Sequence, residues 1–157
     1  MTRRGLILLA AGGSAALLLG AFAFQYLGGL PPCKLCIWQR WPHVAAVAVG
    51  GAALVLGWRG LAWLGAASAL LTAGIGVYHT GIERAWWAGP TSCSGNGLGG
   101  LSGPELLDPS AGARLVMCDE VAWSMIGLSM ASWNALVSCA LAALWIGAAL
   151  SRQLANR

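Results

Sequence analysis

The sequence has very few charged side chains. Asp, Glu, Lys and Arg make up 9% of the 157 residues, whereas soluble domains carry about 25%. Hydrophobic residues make up 58%. Because so few charges cannot cover a folded surface in water, this composition excludes a soluble domain and predicts a membrane protein. The formal net charge of +4 is small and the arginines stand at predicted helix ends, so we expect no nucleic-acid partner.

Long apolar stretches account for most of the chain. A helix crosses a bilayer with about 20 residues, and four stretches are long enough: residues 5–30, 41–58, 61–80 and 128–150. We therefore expect an all-α membrane protein, a single domain over residues 1–157 built as a four-helix transmembrane bundle. Two loops, 31–40 and 81–127, face the same side. Apolar residues in the second loop predict contact with the membrane surface and leave room for a short interfacial helix: Leu98, Leu101, Leu106, Leu107, Leu115, Val116 and Met117.

Acidic residues are missing from one side of the predicted bundle. All five acidic residues fall on the other side. The side without them carries these basic residues: Arg3, Arg4, Arg59, Arg152 and Arg157. By the positive-inside rule, both termini are expected in the cytoplasm and both loops outside. A cleavable secretory signal is the alternative for the N-terminus, but the apolar core of such signals spans about 7–15 residues, and this run is much longer.

Aromatic residues are few apart from tryptophan, with two Phe and two Tyr against nine Trp. Most tryptophans fall near predicted helix ends: Trp38, Trp41, Trp58, Trp63, Trp86, Trp87, Trp123 and Trp133. This placement predicts an aromatic belt at the membrane interfaces.

The sequence contains five cysteines. Cys33, Cys36, Cys93 and Cys118 fall in the outward loops, in a compartment where disulfides persist. Cys139 falls midway in the fourth apolar stretch, where we expect a small apolar packing residue. A zinc site is disfavoured, because only Cys33 and Cys36 form a close pair and no histidine stands near Cys93 in sequence.

The spacing of Cys33 and Cys36 favours electron transfer. A structural disulfide stays open as an alternative, but a two-residue spacer closes too small a loop to stabilise much through chain entropy. Pro32 suits the first turn of a helix, whose N-terminus stabilises a thiolate. Arg40 follows Cys36 by four residues and would share its helical face, although Pro42 disfavours an unbroken helix there. The alternative for Arg40 is that it anchors the helix at the membrane interface and binds no ligand.

Two motifs resemble those of the disulfide bond formation protein B (DsbB) family of bacterial inner-membrane quinone reductases. One is Pro32-Cys33-x-x-Cys36 followed by Arg40. The other is Cys118-Asp-Glu-Val-Ala-Trp123 continuing into Gly127-Leu128-Ser-Met130-Ala-Ser-Trp133. The resemblance covers nearly the whole chain. This chain departs from the family at Gln39, where an acidic residue commonly precedes the arginine.

The resemblance implies a protein-dithiol:quinone oxidoreductase that supports disulfide bond formation. Its partners would be a DsbA-like periplasmic thiol oxidase, the lipid bilayer and a membrane quinone, ubiquinone or menaquinone, as electron acceptor. Cys93 would form the mixed disulfide with DsbA and Cys118 would exchange with Cys33. Cys36 would meet the quinone.

Two further residues are implied to bind the quinone. Arg40 would lie beside it, and His79, at the outer end of the third helix, resembles another family position near it. The bland alternative for His79 is an interfacial polar residue. Alternatives for the whole chain are a paralogue with one specialised thiol partner and a metal-binding or structural membrane module.

Overall fold

A computed structural model describes residues 1–90, 93 and 116–151, which fold into helices and one small hairpin. The four helices are α1 (Arg3–Tyr26), α2 (Lys34–Leu56), α3 (Gly60–Glu83) and α4 (Met130–Leu150). The hairpin pairs β1 (Ser124–Met125) with β2 (Leu128–Ser129) in antiparallel register. The predominantly helical fold is thereby confirmed. The interfacial helix considered around Leu98–Leu115 falls on residues outside those described, as do Arg152 and Arg157.

Three of these helices are long and apolar enough to cross a membrane. They are α1, α3 and α4, with mean hydropathies of 2.2, 1.6 and 1.7 over their most apolar windows. Helix α2 is comparably long at 23 residues. Its first ten residues include Lys34, Gln39, Arg40 and His43, which dilute the apolar run that follows.

The start of α2 differs from the sequence prediction. Residues 34–40, expected in a loop, form its first two turns, and Cys33 caps its N-terminus by accepting a hydrogen bond from the Cys36 backbone N–H at 3.2 Å. The helix continues through Pro42, although proline disfavours an unbroken helix. Helix α1 ends at Tyr26 instead of residue 30, and α3 continues to Glu83. The paired cysteines are therefore held on a helix terminus.

Arginines join the helix ends at one side of the bundle, which we call the basic end. The Arg3 guanidinium donates to the backbone carbonyls of Gly57 at 2.9 Å and Trp58 at 3.0 Å. Arg59 donates to the carbonyl of Ser151, just after α4. Since C-terminal carbonyls carry partial negative charge, these cations stabilise the helix ends that they touch. Arg3 and Arg59 lie at the same end, as their grouping in the sequence requires.

Each helix packs against two neighbours: α3 contacts α2 and α4, and α1 contacts the same two helices. Toward the basic end, this packing closes around Trp145, which is 0% exposed. A Cβ atom on Gly65 would lie 2.5 Å from the Trp145 indole, so the glycine lets α3 approach α4 closely.

Cys139 is exposed on the outside of the bundle. The expectation that it packs between helices is wrong. The tryptophans near helix ends are mostly exposed, as a belt requires, but Trp123 and Trp133 are only partly exposed and line a cavity.

Candidate functional site

Four cysteines meet at the end opposite the basic end, which we call the cysteine end. Cys33 and Cys36 are free thiols whose sulfurs lie 2.8 Å apart. Cys93 and Cys118 form a disulfide with their Cα atoms 5.2 Å apart. The backbone N–H of Cys118 also donates to the carbonyl of Cys93 at 2.6 Å, so the two residues are held together by backbone as well as by sulfur.

The disulfide lies directly against the thiol pair. The sulfurs of Cys33 and Cys118 and a ring nitrogen of His79 all lie within 4.8 Å of one another. Cys33, Cys93 and Cys118 are buried in one apolar cluster with Leu35. Thiol–disulfide exchange needs a thiolate within reach of a disulfide sulfur, and the two pairs are close enough for it.

The thiols of Cys33 and Cys36 differ in how readily they lose a proton. The S–H of Cys33 donates a hydrogen bond to the sulfur of Cys36. That bond, with burial as the second cause, raises the pKa of the Cys33 thiol. Cys33 therefore keeps its proton while Cys36, at the N-terminus of α2, is the sulfur better placed to carry negative charge.

His79, which the sequence left as a ligand-binding or an interfacial polar residue, is buried beside Cys33. Its Nε2 lies 3.6 Å from the sulfur of Cys33 and 3.8 Å from a carboxylate oxygen of Glu83. Its Nδ1 lies 3.0 Å from the side-chain nitrogen of Gln39. Ser129 donates its hydroxyl to the other oxygen of Glu83.

Arg40 lies one turn after Cys36, as its spacing predicts, and its guanidinium reaches toward α1. It donates to the side-chain oxygen of Gln25 at 2.6 Å and to the carbonyl of Ala21 at 3.4 Å. The guanidinium carbon lies 4.9 Å from the centre of the Phe22 ring. These two bonds use two of the five N–H groups of an arginine. Arg40 thus ties α2 to α1 at the wall of the cavity that also contains Cys36.

A cavity of about 290 Å³ lies among the four helices at the cysteine end. Its polar lining residues are Cys33, Cys36, Gln39, Arg40, His43, His79, Glu83, Glu120 and Asn134. Its apolar walls come mainly from α1 and from the segment before α4, including Phe24 and Trp123. Gly20 also lines it, and a Cβ there would meet nothing within 4 Å. Apolar walls with a few convergent polar groups are typical of a small-molecule site.

Cys33, His79 and Cys118 together offer two sulfurs and one nitrogen to a metal ion. The sequence argument against zinc assumed that no histidine stood near the cysteines, and the fold brings His79 to them. Zinc binds cysteine as the thiolate. Because Cys118 is bonded to Cys93, it is not a thiolate in this state.

Sequence reasoning missed a polar network below these groups. It joins α2, α3 and α4 through Gln39, His43, Thr72, Asn134 and Ser138. Polar and ionisable residues inside apolar helices are costly and usually functional. His43, within a stretch expected to span the membrane, carried that signal.

Comparison with known proteins gives one consistent result. The family model described as "Disulfide bond formation protein DsbB" matches residues 3–148. Three similar proteins carry the name disulfide bond formation protein B. The one from Methylococcus capsulatus is 38% identical over 127 residues, 76% of this chain and 77% of its own. The one from Stutzerimonas stutzeri is 34% identical over 155 residues, 90% and 93% of the two chains. The one from a Polaromonas species is 28% identical over 164 residues, 100% and 95%. No solved structure matches the chain.

Proposed function

The chain belongs to the disulfide bond formation protein B family, and from that premise we propose that it is a protein-dithiol:quinone oxidoreductase. It acts in disulfide bond formation by reoxidising a DsbA-type thiol oxidase and passing the electrons to ubiquinone or menaquinone. Membership of this family implies an oxidoreductase activity in disulfide formation. The thiol partner, the quinone and the order of the steps are our proposal.

The observation that carries the proposal is the closeness of the two cysteine pairs. The sulfur of Cys118 lies within 4.8 Å of that of Cys33, which lies 2.8 Å from that of Cys36. A thiolate of the partner attacks Cys93, the bond to Cys118 breaks, and Cys118 leaves as a thiolate. Cys118 then attacks Cys33 of an oxidised Cys33–Cys36 pair, which releases Cys36 as a thiolate.

Two further thiol–disulfide exchanges complete the oxidation of the partner. The second thiol of the partner releases Cys93 and leaves the partner as a disulfide. Cys93 then releases Cys118 from Cys33, so the chain ends with an intact Cys93–Cys118 disulfide and two thiols at Cys33 and Cys36. The structure has the bonding of that final state, with Cys93 bonded to Cys118 and both Cys33 and Cys36 free.

The cavity beside Cys36 suits the electron acceptor. A bound ubiquinone or menaquinone supplies an acceptor of two electrons and two protons. The apolar walls accept its ring, and Gly20 leaves space that a larger side chain would fill. Arg40 and His79 are the residues that we propose hold its oxygens. Arg40 does so with the N–H groups that Gln25 and Ala21 do not use, which stabilises negative charge as it develops.

We place the protein in the bacterial inner membrane, with α2 as its fourth span. Both termini and the basic end face the cytoplasm, and the cysteine end faces the periplasm, where a soluble oxidase reaches Cys93. The backbone contacts of Arg3 and Arg59 at one end of the bundle support this orientation. The surrounding bilayer covers the exposed apolar side chains, among them Leu8, Leu19, Leu70 and Leu136.

The test is reduction of a ubiquinone and of a menaquinone by the purified protein, with a reduced DsbA as electron donor. We expect turnover with at least one of them. Cys118→Ala should trap a mixed disulfide between Cys93 and DsbA, whereas Cys93→Ala should trap none. Absence of turnover with every quinone would remove the proposal, and crosslinking of DsbA to Cys33 would reverse the order of the two pairs. Zinc retained by the reduced protein without quinone turnover would favour the metal-binding alternative.

A further inference from the structure

The side chain of Gln39 has one orientation, which two backbone carbonyls determine. A carbonyl oxygen can only accept, so the Gln39 atom 3.3 Å from the carbonyl of Leu35 is the side-chain nitrogen. By the same reasoning, the Asn134 atom 3.5 Å from the carbonyl of Thr72 is the nitrogen of that amide. This Asn134 nitrogen lies 2.7 Å from the other polar atom of the Gln39 side chain, which is therefore the oxygen. The two assignments agree, and the Gln39 nitrogen is the atom that faces His79.

The orientation of this amide decides the tautomer of His79. Nδ1 of His79 lies 3.0 Å from the Gln39 nitrogen. Because an amide nitrogen can only donate, Nδ1 must accept, and the proton of the neutral ring is then on Nε2. The surroundings of Nε2 fit a donor, since the sulfur of Cys33 lies 3.6 Å away and a carboxylate oxygen of Glu83 lies 3.8 Å away. The second distance is too long for a hydrogen bond to oxygen, so the sulfur is the acceptor of the two.

We propose that Gln39 is a positioning residue, which holds His79 as the neutral tautomer with its proton on Nε2 and thereby makes it a hydrogen-bond donor to the sulfur of Cys33. Gln39 and His79 are 6% and 3% exposed, so water does not compete for these bonds. A carboxylate at position 39 can only accept, and it would require a proton on Nδ1 instead. The amide is therefore the part of Gln39 on which the proton position depends.

A donor beside Cys33 assists the step in which its sulfur leaves. In the proposed cycle, the thiolate of Cys93 attacks the Cys118 sulfur of the Cys33–Cys118 disulfide. The Cys93–Cys118 bond forms, the bond to Cys33 breaks, and the electron pair leaves on the Cys33 sulfur. The Nε2–H group of His79 stabilises this charge, because hydrogen bonds to ionised acceptors are the stronger ones. Cys33 then takes up one proton, which balances the proton that Cys93 lost on becoming a thiolate. This role rests on the proposed function, whereas the tautomer does not.

The tautomer is measured by nitrogen NMR of the full chain labelled with ¹⁵N-histidine. The chain has two histidines, and the spectrum of His79→Gln, which keeps only His43, assigns them. In the parent chain, Nδ1 of His79 should have the chemical shift of an unprotonated nitrogen and Nε2 that of a protonated one. Gln39→Glu, of nearly equal size, should move Nδ1 to the protonated range. Asn134→Leu is the matched control, because it removes the other bond of the Gln39 amide and should leave Nδ1 unprotonated.

The role toward Cys33 is measured by following disulfide exchange. The purified chain, freed of quinone and oxidised at Cys33 and Cys36, is mixed with reduced DsbA, and alkylation with mass spectrometry follows the Cys33–Cys118 disulfide over time. Gln39→Met removes the donor to Nδ1 and keeps an unbranched side chain. It should slow the decay of this disulfide about three- to tenfold, the effect of one hydrogen bond.

The outcomes separate the inference from the proposed function. If Nδ1 of His79 is protonated in the parent chain, or stays unprotonated in Gln39→Glu, the inference is overturned, and quinone turnover still decides the proposed function. The parent spectrum decides alone if Gln39→Glu fails to fold. If the tautomer is as proposed but Gln39→Met does not slow the decay of the Cys33–Cys118 disulfide, the role of His79 toward Cys33 is overturned.

Discussion

The two halves of the bundle interior are filled in different ways. Toward the basic end, Trp145 lies among small residues such as Ala62 and Ala66, and the helices are in direct contact. Toward the cysteine end, Gln39 and Asn134 span the space between α2 and α4 by hydrogen bonds, and a cavity remains beside them.

The difference separates stability from chemistry. Small residues around one large ring fix the distance between helices through packing, which leaves little space for a ligand. Hydrogen-bonded side chains can fix the distance while leaving an opening beside them, at the cost of burying polar groups that need hydrogen-bond partners. Substitutions at the basic half should therefore change stability, and those at the cysteine half should mainly change activity.

The largest effect is expected from Cys36→Ala. Turnover should fall by about 10³-fold or more, because no second sulfur remains to form a disulfide with Cys33. The free energy of unfolding should change by less than about 1 kcal/mol, since the partly buried thiol supports little packing. Quinone reduction and thermal unfolding are measured together. Cys139→Ala is the matched control, and an equal loss of turnover there would contradict the assignment.

Trp145→Ala should have the opposite effect to Cys36→Ala: a large loss of stability with little change in turnover. Truncating the largest fully buried side chain leaves a cavity between α3 and α4, and should cost about 3 kcal/mol of unfolding free energy. Turnover per folded molecule should stay within about threefold, because Trp145 does not line the cavity at the cysteine end. Trp63→Ala, which removes an indole that is 51% exposed, is the control for loss of a tryptophan. Equal destabilisation by both variants would mean that the core around Trp145 is not the main support.

Asn134→Leu probes the boundary between the halves. It keeps the number and branching of side-chain heavy atoms but removes the hydrogen bonds that Asn134 makes with the Gln39 oxygen and with Nε2 of His43. We expect a loss of about 1–3 kcal/mol in unfolding free energy together with about tenfold slower turnover. Ser138→Ala is the control, because its hydroxyl makes only a 3.5 Å contact to Asn134. A variant with lowered stability and normal turnover would show that the network serves only to join the helices.

The smallest effect is expected at the hairpin between β1 and β2. Ile126 and Gly127 both have positive φ, 54° and 73°, which suits glycine or asparagine and is unfavourable for a β-branched side chain. Ile126→Asn should raise the free energy of unfolding by up to about 1 kcal/mol and leave turnover unchanged, because Ile126 is exposed and away from the cavity. Ile126→Val keeps the strain and should change neither; a gain from it equal to that from Asn would exclude the backbone explanation.

The sequence predicted the features that depend on long runs or short spacing. Apolar length predicted the helices, and the spacing of Cys33, Cys36 and Arg40 predicted their common location. It failed where the rotation of a helix decides the outcome. Helix α4 carries apolar residues on every side, so its composition does not show that Cys139 faces outward while Asn134 faces inward. That direction is set by packing against α2 and α3.

The sequence prediction placed the beginning of α2 too late for a related reason. Its first turns carry Lys34, Gln39 and Arg40, which reduce hydrophobicity without reducing helix propensity. A search for apolar length therefore begins the helix too late. His43 was missed because its partner Asn134 lies 91 residues away in the sequence.

The arginine contacts at the basic end also imply an order of events during synthesis. Arg3 binds carbonyls at Gly57 and Trp58, so this bond becomes available as soon as the first two helices have left the ribosome. Arg59 must wait for Ser151, 92 residues later, which at roughly 5–20 residues per second is a delay of about 5–18 s. Arg3 can therefore join α1 to α2 before the part of the cavity wall that comes from α3 and α4 has been synthesised. The Arg59 bond forms only after α4, which completes the cavity wall.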